Sequence, residues 1–152
     1  MQLNAFTDYS LRVLMYAAAR PEGRSATGEV AAAFGISRHH TVKVVHALQR
    51  LGYLETVRGR RGGFRLAQPP DRIRLGDVIR RTEGTLALVE CFDGSGDCPL
   101  IPACGLKHAL SDATTAFFDV LDRWTLADAL ARPRWAAQIR SIAVEPRPVA
   151  LA

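Results

Sequence analysis

Apolar side chains recur at helical spacing from the start of the chain. Phe6, Tyr9, Val13, Tyr16 and Ala17 share one face, Asn4 stands where an N-cap belongs, and Pro21 to Gly23 stops the run. That predicts a helix over 5–20. Thr27 opens a shorter run, GEVAAAF, closed by Gly35, and Ser37 is placed to cap a third, SRHHTVKVVHALQRL, ending at Gly52. In this third run Val42, Val45 and Leu48 read as the inner face. Two β-prone stretches, YLETV and FRLA, then flank the glycine-rich RGRRGG, which predicts a hairpin. LGDVIRRTE over 75–83 predicts one more short helix, stopped by Gly84.

The longest pattern comes last. Leu106, Leu110, Ala113, Phe117, Val120, Trp124, Ala127 and Ala131 alternate steps of four and three, a coiled-coil type of stripe that Phe118 and Leu121 widen. A single helix is expected over 105–132, broken by Pro133. It is longer than a small winged domain can cover, so Leu106, Leu110, Phe117, Val120 and Trp124 are expected to pack against a second copy of the chain. The tail 133–152, with further prolines, is expected to be loosely ordered and flexible.

Two helices joined by a tight turn at Gly35-Ile36-Ser37 form a helix-turn-helix, and a hairpin directly after the second helix is a wing. The expected fold is mainly α with a small β-hairpin. A winged helix-turn-helix domain spans 1–83, a cysteine-rich segment 84–104, a dimerisation helix 105–132 and a tail 133–152.

Charge sharpens this picture. Residues 1–75 carry 12 Lys/Arg against 5 Asp/Glu, a net of +7, whereas residues 76–152 carry 8 against 10. A basic first half fits a nucleic-acid module joined to a part that need not touch DNA. The second helix of the pair presents Arg38, His39, His40, Lys43, His46 and Arg50, and Arg38, His39, His40 and Lys43 are the candidates for the major groove. On the wing, Arg58, Arg60, Arg61 and Arg65 surround Gly59, Gly62 and Gly63, suited to phosphates or a narrow minor groove. No apolar run approaches the ~20 residues that cross a bilayer. The N-terminus lacks a basic, cleavable leader, so a cytoplasmic protein without a membrane partner is expected.

All three cysteines, Cys91, Cys98 and Cys104, lie in ECFDGSGDCPLIPACG. An odd count without a leader argues against a disulfide scaffold. Three thiolates within 14 residues can hold soft iron or zinc, or react with an oxidant. The gaps of six and five residues contain no Cys-x-x-Cys pair, which makes zinc the weaker reading. Iron–sulfur clusters usually take four thiolates, so a 4Fe–4S cluster here needs one non-cysteine ligand; 2Fe–2S is the alternative. No nucleophile–base pair or phosphate loop is visible, so an enzyme is not expected. A structural metal-binding or electron-transfer protein gives no reason for the helix-turn-helix.

The opening FTDYSLRVLMYAA, the segment SRHHTVKVVHALQRLGYLETVRGRRGGFRLAQPPDRIRLGDVIR, the cysteine loop and ACGLKHAL together resemble the Rrf-type iron–sulfur winged-helix regulators, over roughly residues 1–130. The resemblance is to the nitric-oxide-sensing repressors among them. It implies a homodimer on a palindromic operator, with an iron–sulfur cluster in each subunit. It implies that the loaded form represses genes for nitric oxide detoxification, and that nitrosylation of the cluster releases DNA. By the same resemblance Asp8, in FTDYSLR, is the fourth ligand, reaching the cluster of the partner subunit; Glu90, Asp93, Asp97 and His108 are local rivals. A related branch, the regulators of cluster biogenesis, places histidine three residues after the last cysteine, where this chain has Lys107. A regulator of cluster biogenesis or of general redox stress is the alternative function.

Overall fold

Asn4 opens the first helix, α1 (Ala5–Ala18), by accepting the Thr7 amide on its side chain at 2.8 Å. This is the first element in a computed structural model that describes residues 2–20, 23–57, 59, 62–84, 86–92, 94, 97–131 and 133–144. Helix α2 (Thr27–Phe34) ends at Gly35, whose φ of +64° is a left-handed cap that side chains other than glycine rarely adopt. Ser37 then caps α3 (Arg38–Arg50), its hydroxyl accepting the His40 amide at 3.2 Å. The cap sets the phase of the helix. Thr41, Val44, Val45 and Leu48 point inward, while Val42, expected on the inner face, is only half-buried. The i, i+3, i+4, i+7 arc starts one residue earlier than the apolar letters suggested, because Thr41 buries its hydroxyl by bonding Ser37 O at 3.1 Å.

Strands β1 (Leu54–Val57) and β2 (Gly63–Leu66) pair antiparallel with Glu55 opposite Arg65 and Thr56 opposite Phe64. Ser25, in the connection between α1 and α2, exchanges two backbone hydrogen bonds with Phe64, each 2.9 Å, and so forms an antiparallel bridge beside β2. A Cβ on Gly63 would sit 2.8 Å from Ser25 O, so this close approach requires glycine. The core gathers Val13, Leu14 and Tyr16 from α1, Val30 from α2, Val44 and Leu48 from α3, and Tyr53, Leu54 and Phe64 from the hairpin.

After a 3-10 turn at Pro70–Arg72, helix α4 (Leu75–Thr82) buries Val78 and Ile79 and ends before Gly84, at φ +71°. The cysteine segment follows, and then α5 (Gly105–Arg123).

Two expectations for the C-terminal third are corrected. The single helix over 105–132 stops at Arg123, because Trp124 is extended (φ −93°, ψ +130°). Thr125 restarts the chain as α6 (Leu126–Leu130) with a reciprocal capping box: its hydroxyl accepts the Asp128 amide at 3.1 Å, and the Asp128 carboxylate accepts the Thr125 amide at 2.8 Å. The break is held from outside by backbone bonds from Leu75 N to Trp124 O, 2.9 Å, and from Leu126 N to Ile73 O, 2.8 Å. Leu126 is thereby fully buried. The second correction is the first part of the tail; residues 145–152 lie outside the described residues. Residues Pro133–Val144 form helix α7, which returns to α1 and α2 and buries Ile139 in the core. Pro133 starts this helix instead of ending one, since a proline in the first turn has no bond to lose.

Candidate nucleic-acid interface and cysteine segment

The capping of α3 at Ser37 turns Arg38, His39, His40, Lys43, His46, Gln49 and Arg50 outward, all exposed. Arg38, His46 and Arg50 also line one wall of an open cleft whose other wall is the hairpin at Thr56, Val57 and Gly63. A helix face of long donors beside a narrow β-ribbon is a shape that can follow a groove and grip a backbone. The fourth wing candidate departs from this arrangement. Arg65 ion-pairs with Glu55 across the hairpin and lines a different cleft, shared with Ala17, Ala18 and Arg20. Side chains alternate faces along a strand, so a wing arginine within β2 is committed to one side. Arg58, Arg60 and Arg61 lie outside the described residues.

Helix α1 lies against α3. Tyr9 places its ring 6.3 Å from that of His40, and the His40 ring is 6.1 Å from His39. Asp8, one residue before, is partly exposed and pairs with Arg12 one turn along, Nη2 to Oδ2 at 2.7 Å. The N-terminal end of α1 therefore carries Asp8 and touches the start of α3.

The three cysteines are free thiols on the segment between α4 and α5. Cys91 sits half-buried in a 3-10 turn, Glu90–Phe92. Cys98 is exposed and its carbonyl accepts Ile101 N at 3.2 Å. Cys104 is the N-cap residue of α5 and is half-buried. Among the described residues no three His, Cys, Asp or Glu side chains converge on one point in this single chain. The donor chemistry nonetheless fits iron and sulfide: three unpaired soft sulfurs, with Asp8 of α1 a hard, exchangeable oxygen donor. Of the rival ligands, Glu90, Asp97 and His108 are exposed, and Asp93 lies outside the described residues.

Of the expected dimer residues, Leu106, Val120 and Trp124 are exposed, at 67%, 46% and 43%, and Leu110 and Phe117 half-buried. Phe118 instead turns inward against Arg80.

Three polar ties escaped the sequence, because each joins residues far apart. Tyr53, just before β1, hydrogen-bonds Asp77 of α4, while Arg81 lies over its ring and donates to Leu51 O at 3.2 Å. Burial, then the bond to Asp77, pushes the Tyr53 phenol up to about 12. Arg80 of α4 clasps Asp122 of α5 with two bonds, 2.7 and 2.6 Å, which holds the Asp122 carboxyl below its usual range. Asn4 and Glu83 tie the start of α1 to the end of α4.

Comparison with known proteins places this arrangement. A regulator called NsrR from Geobacillus kaustophilus (strain HTA426), described as an HTH-type transcriptional regulator, is 48% identical over 149 residues, 97% of this chain and 99% of its own length. The NsrR of Bacillus subtilis (strain 168) is 48% identical over 130 residues, 84% of this chain and 89% of its own. The solved structure of CymR (YrzC), the global cysteine regulator of B. subtilis, superposes with a TM-score of 0.71 at 26% identity, covering 86% of this chain and 97% of that one. These relatives are transcriptional regulators and not enzymes. Residues 3–132 match the family described as Rrf2, iron-dependent transcriptional regulators, and the chain belongs to that family.

Proposed function

We propose that this regulator is an iron–sulfur-dependent repressor that senses nitric oxide and releases a palindromic operator in response, acting as a homodimer. The observation that carries the reading is the placement of three free thiols on one segment, Cys91 to Cys104, between the winged domain and α5. The likeness of the opening and cysteine segments to the nitric-oxide-sensing repressors supports the choice of signal.

Cys91, Cys98 and Cys104 hold the cluster, 4Fe–4S in preference to 2Fe–2S, and Asp8 of the partner subunit completes it. When bound, the cluster would supply iron able to take up a diatomic ligand. Asp8 would hold iron less firmly than a thiolate does, and within its own subunit it pairs with Arg12. Arg38, His39, His40 and Lys43 face the major groove, and the wing arginines Arg58, Arg60 and Arg61 grip phosphate. Leu106, Leu110, Phe117, Val120 and Trp124 pair with a second chain. Freed of its tie to the partner, α1 lets the two reading helices leave the spacing a two-fold operator demands.

The test is anaerobic purification followed by absorption and Mössbauer spectra, then operator binding titrated with nitric oxide in the same sample. Iron and sulfide are expected in the wild type and absent from Cys91→Ala, Cys98→Ala and Cys104→Ala. DNA release is expected to track loss of the chromophore. Full iron and sulfide in all three variants, or release of DNA without any change at the iron, would overturn the reading.

A further inference from the structure

We propose that Glu83 is a positioning residue for this response. Its clasp on Asn4 is the route, within one subunit, by which the state of the cysteine segment reaches the DNA-reading helix. The inference rests on the functional reading above and names how that site is coupled to DNA.

Glu83 caps the end of α4, its amide donating to Ile79 O at 2.8 Å, and Gly84 then turns the chain into the cysteine segment. Seventy-nine residues earlier in sequence, the Asn4 amide donates to Glu83 Oε1 at 2.8 Å, and Asn4 Nδ2 donates to Glu83 O at 3.1 Å. Asn4 is at the same time the cap of α1: its Oδ1 accepts Thr7 N at 2.8 Å and its carbonyl accepts Asp8 N at 3.1 Å. One residue thus bonds both the last residue before the cysteine segment and the turn that carries Asp8 and Tyr9. Tyr9 in turn lies beside His40 on α3. The path is contiguous: segment, Glu83, Asn4, first turn of α1, start of α3.

The clasp is built to open. Glu83 Oε2 is buried and, among the described residues, has no hydrogen-bond partner. Half of the carboxylate is therefore desolvated without return, which offsets the bond made by the other half. A near-balanced contact of this kind is a two-state element that a modest push can bias. The push has a lever. Glu83 borders a cleft walled by Leu3, Leu86, Leu88 and Phe117, so rearrangement of the segment at 86–88 moves the walls around the clasp.

Two substitutions separate this role from simple bracing. Asn4→Ser keeps an N-cap oxygen but loses the Nδ2 donor. Glu83→Leu keeps bulk in the cleft but loses the carboxylate. Each intact protein is purified anaerobically and its iron chromophore recorded. Operator affinity is measured for iron-loaded and metal-free samples, on a duplex selected from random sequence by the loaded wild type. Amide exchange at Thr7 and Asp8 is followed in parallel. We expect both variants to load iron as wild type does. The ratio of metal-free to loaded Kd should fall at least about five-fold, and removal of iron should no longer change exchange at those two amides. A mere brace would weaken both forms alike and leave the ratio and the iron-dependent change in exchange as in wild type; that result overturns the inference, and Asn4→Ser alone suffices to obtain it. A wild type that carries no iron, or whose affinity ignores it, overturns the functional reading itself.

Discussion

The winged domain and the cysteine segment are built on opposite principles. In the winged domain Asn4 and Ser37 cap α1 and α3 and Gly35 closes α2, and the core closes over fully buried Tyr16, Leu14, Leu48 and Phe64. Between residues 86 and 104, not one described residue is buried, and the local order is two single 3-10 turns. A segment without a core of its own draws stability from what it holds, and its local free energy of opening lies near the low end of the range. The winged domain has a core to which the segment contributes no residue. That division lets a chemical event in one region be reported by the other without unfolding it.

The largest expected effect breaks the comparison from the core side. Phe64→Ala should lower stability by about 3–5 kcal/mol through a cavity at the junction of hairpin and α1. In metal-free protein, Cys98→Ala should stay within about 0.5 kcal/mol, as exposed positions do. Denaturant unfolding measures both, and similar losses at the two sites would erase the distinction.

Gly63→Ala comes next. The new Cβ must push against Ser25 O, a backbone atom that cannot swing aside, so a cost of about 1–3 kcal/mol is expected. The wing should shift with it. Weaker DNA binding than the stability loss accounts for would show that the Ser25 bridge aims the hairpin, and a fully folded variant with unchanged affinity would show that it does not.

Tyr53 gives a smaller effect with a defined pH window. Its phenol is raised from an ordinary value of 10.0 to about 12 in the folded chain. A raised pKa stabilises the fold fully below the unfolded value and loses that contribution as pH climbs through the folded one. Stability should therefore fall by on the order of 2 kcal/mol between pH 10 and 12. Tyr53→Phe should remove that dependence, at about 1 kcal/mol at neutral pH for the lost bond. An unchanged alkaline transition in the variant would place the titrating group elsewhere.

The smallest effect is expected at the Arg80–Asp122 clasp, where both side chains are substantially exposed. The Asp122 carboxyl is held low by Arg80, so the tie is intact above the ordinary aspartate range and is lost as pH falls through the lowered value. Asp122→Asn should lower the thermal midpoint slightly at low salt and not at high salt. Gly76 packs directly against the Asp122 carboxylate, and Gly76→Ala, whose Cβ would land on it, should separate α4 from α5 more than the charge change does.

Much of the winged domain was legible because its signals are local. Asn4, Ser37, Gly35 and Gly84 cap or terminate elements through atoms a few residues away. The helix-turn-helix and hairpin follow from such punctuation together with a change in hydrophobic period. Thr125-x-x-Asp128 was an equally local signal, but the four–three stripe running through it read more strongly as one long helix. Trp124 left the helix because Leu75 and Ile73 hold the backbone on either side of it. Among the candidate site residues, the thiols and the outward face of α3 were plain in sequence. The side of the hairpin that Arg65 faces was not, since strand register settles it.

The sequence by itself determined the order of helices and strands in the winged domain, the charge asymmetry and the gathering of all three cysteines into one segment. Each depends on residue type and spacing along the chain. Only the tertiary structure decided that Ser25 joins the wing, that α7 returns to cover α1 and α2, and that Asn4 meets Glu83. Such pairings depend on which surfaces remain to be covered once the helices have packed. No spacing rule reaches across 79 residues, whereas one carboxylate oxygen against one backbone amide does.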